Sequence, residues 1–226
     1  MQFFRQVFVV AAKDLRAEFR TKEAINASFA FALVILLMFS FAFDIPVETA
    51  RDISGGLLWI VFAFAGTLVL NRSFARELPN DCLDALIAAP VSGAALYLGK
   101  ALANYVLVLA VELVSLPVFS IFNNLSVTGQ FWELLLVLAL GTWGLTVIGT
   151  IFSALTVNIR LREVMLPMLT YPILVPALMG AMQLTSALVA GKPIGADNEA
   201  WLKMLIGFDV VYTAVSLVLV ETVLVG

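Results

Sequence analysis

Few residues of this 226-residue chain are able to do chemistry. It has no histidine and a single cysteine, Cys82. The commonest metal and haem ligand, which is also the commonest acid–base group, is therefore missing, and no internal disulfide can form. Cys82 reads as a small buried residue. Three carboxylates, Glu112, Asp209 and Glu221, interrupt otherwise apolar stretches. An acid in a hydrocarbon layer is costly, and it marks a functional position by default. Glu112 lies deepest. Two roles stay open for it: lining a substrate path, or pairing as a neutral acid within a bundle, close to the kink expected at Pro117. Asp209 and Glu221 fall nearer the ends of their stretch and read as interfacial. No Ser–His pair, second carboxylate motif or metal-ligating cluster accompanies them, so neither catalysis nor a metal is expected. Gly93 to Gly99-Lys100-Ala101 imitates a phosphate loop, but five residues separate the glycines where about four are needed. Ala101 also lacks the hydroxyl that would hold magnesium. Any ATP-driven role would need an ATPase on another chain, and Lys100 is expected to snorkel at the start of a membrane span.

The elements positioning these residues follow from composition. The chain is 62% hydrophobic and 13% charged, far from the balance of a soluble domain. A net charge of −3 without a basic stripe excludes a nucleic-acid partner. Six stretches are apolar and long enough to cross a bilayer core of about 30 Å: Ala24 to Phe43, Ile53 to Leu70, Ala101 to Phe122, Leu134 to Val157, Val164 to Ala190 and Trp201 to Val225. Backbone polar groups cannot stay unpaired in lipid, so these stretches must be helices. The first is too long for a secretory signal core and reads as a retained span. With a cytoplasmic N-terminus, ten of the thirteen basic residues fall on the inner side and only Arg51, Lys192 and Lys203 on the outer. This is the distribution the positive-inside rule demands, and six spans return the C-terminus to the cytoplasm. The expected fold is all-α: one domain over residues 1–226, with an interfacial helix at 1–23 and a six-span bundle at 24–226.

The interfacial helix is read from Phe4, Val7, Phe8, Ala11, Leu15 and Phe19 at helical spacing, with Arg5, Lys13, Arg16 and Arg20 mainly opposite, facing anionic headgroups. Between the second and third spans lies the longest cytoplasmic loop, Arg72 to Pro90. Pro79 breaks the chain there, and Asn80 or Asp81 can cap a short helix with Asp84 near its first turn. Leu83, Leu86 and Ile87 share one face, and Pro90 ends it. Such an element either transmits force from a cytosolic partner or is a plain connector. The fifth span holds Pro167, Pro172 and Pro176, each removing a helical hydrogen bond, so it is expected to be bent or partly unwound and packed inside the bundle. Gly149 and Ser153 form a small-xxx-small step permitting close helix approach. Trp132 and Trp201 sit at outer interfaces, whereas Trp59 and Trp143 fall in the core.

An amphipathic N-terminal helix, six spans and a cytoplasmic helix after the second span resemble permease subunits of ABC-2-type transporters. Closer still is the haem exporter protein B (CcmB) family of cytochrome c maturation. The likeness rests on Gly56-Leu-Leu-Trp59-Ile through Leu70-Asn71-Arg72-Ser-Phe74-Ala-Arg76-Glu77, on Leu83 through Ala89-Pro90 to Leu98-Gly99-Lys100, and on Leu166-Pro167, Tyr171-Pro172 and Val175-Pro176. The resemblance implies a bacterial-type inner membrane. It also implies an ABC ATPase (the A subunit) on the cytoplasmic side, a haem-handling C subunit, and a haem chaperone outside. Two copies of the chain per complex are expected by analogy. The ATPase contact would be the loop carrying Arg72, Arg76, Glu77, Asp81, Leu83, Asp84, Leu86 and Ile87, with the proline-bent fifth span in the moving bundle. Without histidine the chain offers haem no imidazole, so no directly bound cofactor is expected and the wider complex would handle the haem. A general ABC-2 exporter of a lipid, polysaccharide or drug shares this architecture. A membrane-embedded lipid enzyme or an ion-coupled transporter would require a polar cluster or paired broken spans.

Overall fold

The computed structural model describes residues 2–42, 47–79, 82–87, 89–123 and 129–225, and among these every regular element is a helix. In chain order they are α1 (Gln2–Thr21), α2 (Glu23–Ala42), α3 (Val47–Ser73), α4 (Cys82–Ile87), α5 (Gly93–Phe122), α6 (Phe131–Thr156), α7 (Arg162–Val189) and α8 (Glu199–Val225), with one 3-10 turn at Ala75–Glu77. Six of them, α2, α3, α5, α6, α7 and α8, are long and apolar enough to span a bilayer. They fall on the six expected spans. The main departure is α5, which starts at Gly93 rather than Ala101, because Ser92 caps it by accepting a hydrogen bond from the Ala95 amide at 3.2 Å. Its 30 residues reach about 45 Å, longer than a hydrocarbon core of about 30 Å. Its first turns therefore project beyond the apolar layer.

The centre of the bundle is α3 against α6. A Cβ on Gly141 would meet the Trp59 ring at 2.1 Å, and one on Gly149 would meet Leu70 Cδ1 at 2.3 Å. Ser153 Oγ donates to the Leu70 carbonyl at 2.7 Å. The small-xxx-small step thus admits α3 to backbone distance, as its spacing predicts. Trp59 is fully buried and its indole N–H bonds Thr185 Oγ1 at 2.9 Å, tying α3 to α7 as well.

Two expectations change. First, α7 is helical without interruption through Pro167, Pro172 and Pro176, as α5 is through Pro117, so the fifth span is not unwound. It is not enclosed either: one face packs on α3, α6 and α8, while Val164, Met168, Leu169, Val175 and Met179 are exposed. Second, α1 divides its apolar residues between two surfaces. Val7, Val10 and Ala11 are buried against α5, whereas Phe4, Phe8 and Phe19 stay exposed, free to enter lipid. Gly99 makes the α1–α5 contact possible: a Cβ there would lie 2.6 Å from Val10 Cβ.

At the opposite end, α7 closes with Gly191 at φ +81°. The Lys192 and Gly191 amides bond the Ala187 and Leu188 carbonyls at 2.9 and 3.0 Å, a Schellman closure. Glu133 at the start of α6 accepts from the Ile194 amide at 2.7 Å, fastening that loop.

Candidate functional site

Two polar assemblies stand out. The first is a charged junction where α1, the end of α3, the 3-10 turn and the start of α5 meet. Lys100 is at its centre and is fully buried, so the snorkelling expected of it does not occur. Its ammonium donates to Asp14 Oδ2 at 3.0 Å, the Ser73 carbonyl at 2.9 Å and Glu77 Oε1 at 3.1 Å, and it lies 5.0 Å from the Phe74 ring centroid. Three acceptors satisfy its three protons, which is what allows a lysine to be enclosed. Lys13 adds a second cation, 2.5 Å from Glu77 and 3.3 Å from Asp14. Burial works against the Lys13 charge, but its hydrogen bond to Glu77 and the negative charges of Asp14 and Glu77 outweigh that and hold the ammonium above the usual lysine value.

A corner between α1 and α2 completes the junction. Lys22 takes the left-handed conformation, φ 57°, which reverses the chain within one residue. Glu18 is fully buried beneath it. Its Oε1 accepts from the Ala24 and Ile25 amides at 2.8 and 2.9 Å, capping the orphan donors of α2, and its Oε2 pairs with Arg76. Arg72 pairs with Glu23 at 2.6 Å. Of the residues assigned by resemblance to an ATPase contact, Arg72, Arg76 and Glu77 are therefore engaged in internal pairs with α2, α1 and α5. Asp81 lies outside the described residues. Leu83, Asp84 and Ile87 fall in α4, and Leu86 is half-buried there. Cys82, also in α4, is exposed rather than buried, because the helix is too short and peripheral to be covered.

The second assembly is a seam between α5 and α6. These helices run antiparallel, and Asn104 on α5 donates to Thr150 on α6 and to Ser73 on α3, both at 2.9 Å. Two turns further, Glu112 Oε2 accepts from Thr142 Oγ1 at 2.5 Å. Glu112 is fully buried and its Oε1 has no partner; nor do the buried hydroxyls of Ser28 and Ser115. Ser28 and Glu112 both line a small internal gap between α2, α3 and α5. Glu112 is thus hydrogen-bonded within the bundle through one of its oxygens. Asp209 corrects its expectation. It is buried, not interfacial, and neither carboxylate oxygen has a partner. Gly144 admits it, since a Cβ there would lie 2.7 Å from Asp209 Oδ1. Glu221 is exposed near the end of α8. No group of three His, Cys, Asp or Glu positioned to hold a metal occurs among the described residues.

Sequence reasoning missed Asp14 and Glu18, and it misplaced Lys100 and Asp209. For Lys100 a signal was available: Lys100, Asn104 and Glu112 share one helical face, a polar stripe on an apolar span. Glu18 offered only its place just before an apolar run.

These features define a multi-pass membrane protein of the permease type, with a polar junction at one end of a six-helix bundle. The family profile described as CcmB protein matches residues 5–222, and the chain belongs to that family. It is 31% identical to Heme exporter protein B of Rhodobacter capsulatus over 87% of this chain and 88% of that one. It is 29% identical to the protein of the same name from Paracoccus denitrificans over 81% and 84%. The figure for Pseudomonas aeruginosa Heme exporter protein B is 27%, over 87% of each chain.

Proposed function

We propose that this chain is the permease subunit of an ABC-type system for cytochrome c maturation. It would couple a partner ATPase to haem delivery, or to release of a haem-loaded chaperone, on the outer side of the inner membrane. Membership of the CcmB family along nearly the whole chain is the observation that carries this reading. Haem is cargo here, not a resident group. A chain without histidine offers haem no imidazole, so in this reading a haem-handling C subunit or the chaperone holds the haem, Met, Tyr or Cys82 being the alternative ligands within this chain. In this reading both termini lie in the cytoplasm, which the distribution of basic residues supports, and two copies serve each complex by analogy.

In this reading α4 is the element that meets the ATPase. The ion pairs of Arg72, Arg76 and Glu77 act behind it, transmitting displacement of residues 72–79 to α1, α2 and α5 together. Cys82 provides the test without mutation, since it is the only cysteine and is exposed on α4. Maleimide labelling of Cys82 in membranes from the native host should be fast for the chain expressed alone and strongly slowed when the co-purifying ATPase is present. Mass spectrometry of the tagged complex should recover cytochrome c maturation subunits. Equal labelling with and without bound ATPase would move the contact elsewhere. An ATPase recovered without maturation partners would favour a general ABC-2 exporter.

A further inference from the structure

Helices α2 and α7 flank α3 and leave a groove between them that opens at the basic end of the bundle. The groove has two zones. Its apolar wall comprises Phe31, Phe64, Leu68 and Pro167. Phe64 meets Tyr171 edge-on at a centroid distance of 5.3 Å and lies tilted against Phe31 at 6.4 Å. Its mouth is polar and carries charges of both signs: Arg72, Arg76 and Arg162 against Glu23 and Glu163, with Asn71 between them. Arg72 is partnered by Glu23 and Arg76 by Glu18. Arg162 is half-buried and has no ion pair among the described residues, and neither has Glu163. Asn71 Oδ1 is shielded from solvent without a hydrogen-bond donor.

We propose that this groove binds the phosphoethanolamine headgroup of a membrane phospholipid, with its phosphate on Arg162, its ammonium at Glu163, and its acyl chains along Phe31, Phe64 and Leu68. The argument is one of matched groups. Guanidinium is the side chain best suited to phosphate. The carboxylates beside it would repel a headgroup that is only anionic, whereas an ammonium two carbons from the phosphate gives Glu163 the partner it lacks among the described residues. The exposed Glu163 carboxylate accepts hydrogen bonds, which favours a headgroup carrying N–H donors. Ethanolamine has three and choline has none. The groove mouth lies where α2 begins and α3 ends, at the level of the headgroups, and aromatic and aliphatic side chains continue from it into the hydrocarbon layer. The site is independent of which partner drives the protein.

The test is native mass spectrometry of the full-length chain, equilibrated in detergent with equimolar palmitoyl-oleoyl phosphatidylethanolamine, phosphatidylglycerol and phosphatidylcholine. The expected result is one retained phosphatidylethanolamine, favoured about tenfold over either competitor, as one or two charge-assisted hydrogen bonds would give. Free phosphoethanolamine should not displace it. The double substitution Arg162→Gln, Glu163→Gln should abolish the preference without changing the unfolding temperature, because neither side chain has an ion-pair partner among the described residues. Equal retention of the three lipids, or preference for phosphatidylglycerol, overturns the proposal. So does quantitative disulfide formation between two copies carrying Ala27→Cys in a Cys82→Ser background, which would show that a second copy covers the groove.

Discussion

Replacing Lys100 by methionine keeps the stem and removes the charge. Asp14 and Glu77, each with 15% of its side chain exposed, would then have only Lys13, at 3.3 and 2.5 Å, and the Ser73 carbonyl would lose a donor. Removing one partner of a fully buried pair costs about 3–5 kcal/mol, while an exposed pair is worth about 0–1 kcal/mol. Partial exposure and the remaining lysine put Lys100→Met between these limits, at about 2–3 kcal/mol. For a chain of this size that is a fall in Tm of roughly 5–10 °C, measured by fluorescence-detected unfolding in detergent. The loss should be local as well as global: proteolysis within α1 should accelerate, because Asp14 is the anchor that α1 contributes to Lys100. Lys203→Ala is the control, since it breaks an exposed helical pair with Glu199 and should change stability by no more than about 0.5 kcal/mol. If Lys100→Met were no more destabilising than Lys203→Ala, the view of the junction as a buried, mutually dependent network would be wrong.

Other outcomes follow from the same geometry. Gly99→Val should release α1 from α5 and cost about 1–3 kcal/mol through overpacking, read as faster proteolysis within α1 and a lower Tm. Thr142→Val should cost about 1–3 kcal/mol, because it strips the last hydrogen-bond partner from the buried Glu112 carboxyl, and Thr142→Ser should restore most of the Tm. Lys22→Gly should be neutral or stabilising by up to about 1 kcal/mol and Lys22→Val destabilising, since φ 57° suits glycine and opposes a β-branched residue. The raised value of Lys13 means that its stabilising contribution is complete below the unfolded lysine value of 10.5 and is lost only as pH rises through the higher folded value. Its contribution to α1 docking, measured as the difference in α1 proteolysis between wild type and Lys13→Gln, should accordingly be flat between about pH 6 and 9.

The spans were legible because a bilayer imposes length and apolarity on each of them directly, and the small-residue step at Gly149 and Ser153 was legible because helical spacing alone puts those positions on one face. What the order of residues concealed was pairing across distance. Lys100 was read as a span boundary because hydropathy weighs each residue alone. Its enclosure depends on Asp14, 86 positions away, and on the early helix start that Ser92 enables. Asp209 was placed near an interface by its distance from the end of an apolar run, whereas what buries it is the missing side chain of Gly144 on another helix. The prolines of α7 drew attention as breakers. In the folded chain they sit within a continuous helix.

The contact between α3 and α6 also limits how the protein can move. With the Trp59 ring seated on Gly141 and Leu70 seated on Gly149, sliding one helix along the other by a single residue would bring a side chain to where only a bare backbone fits. The pair behaves like a key in its slot, free to travel as one piece and blocked from shearing. Rearrangement in a working cycle must then fall to the helices around it, and α1 and α2, joined at the Lys22 corner and tied through Glu18 to Arg76, are the pair most directly attached to the segment that a partner would push.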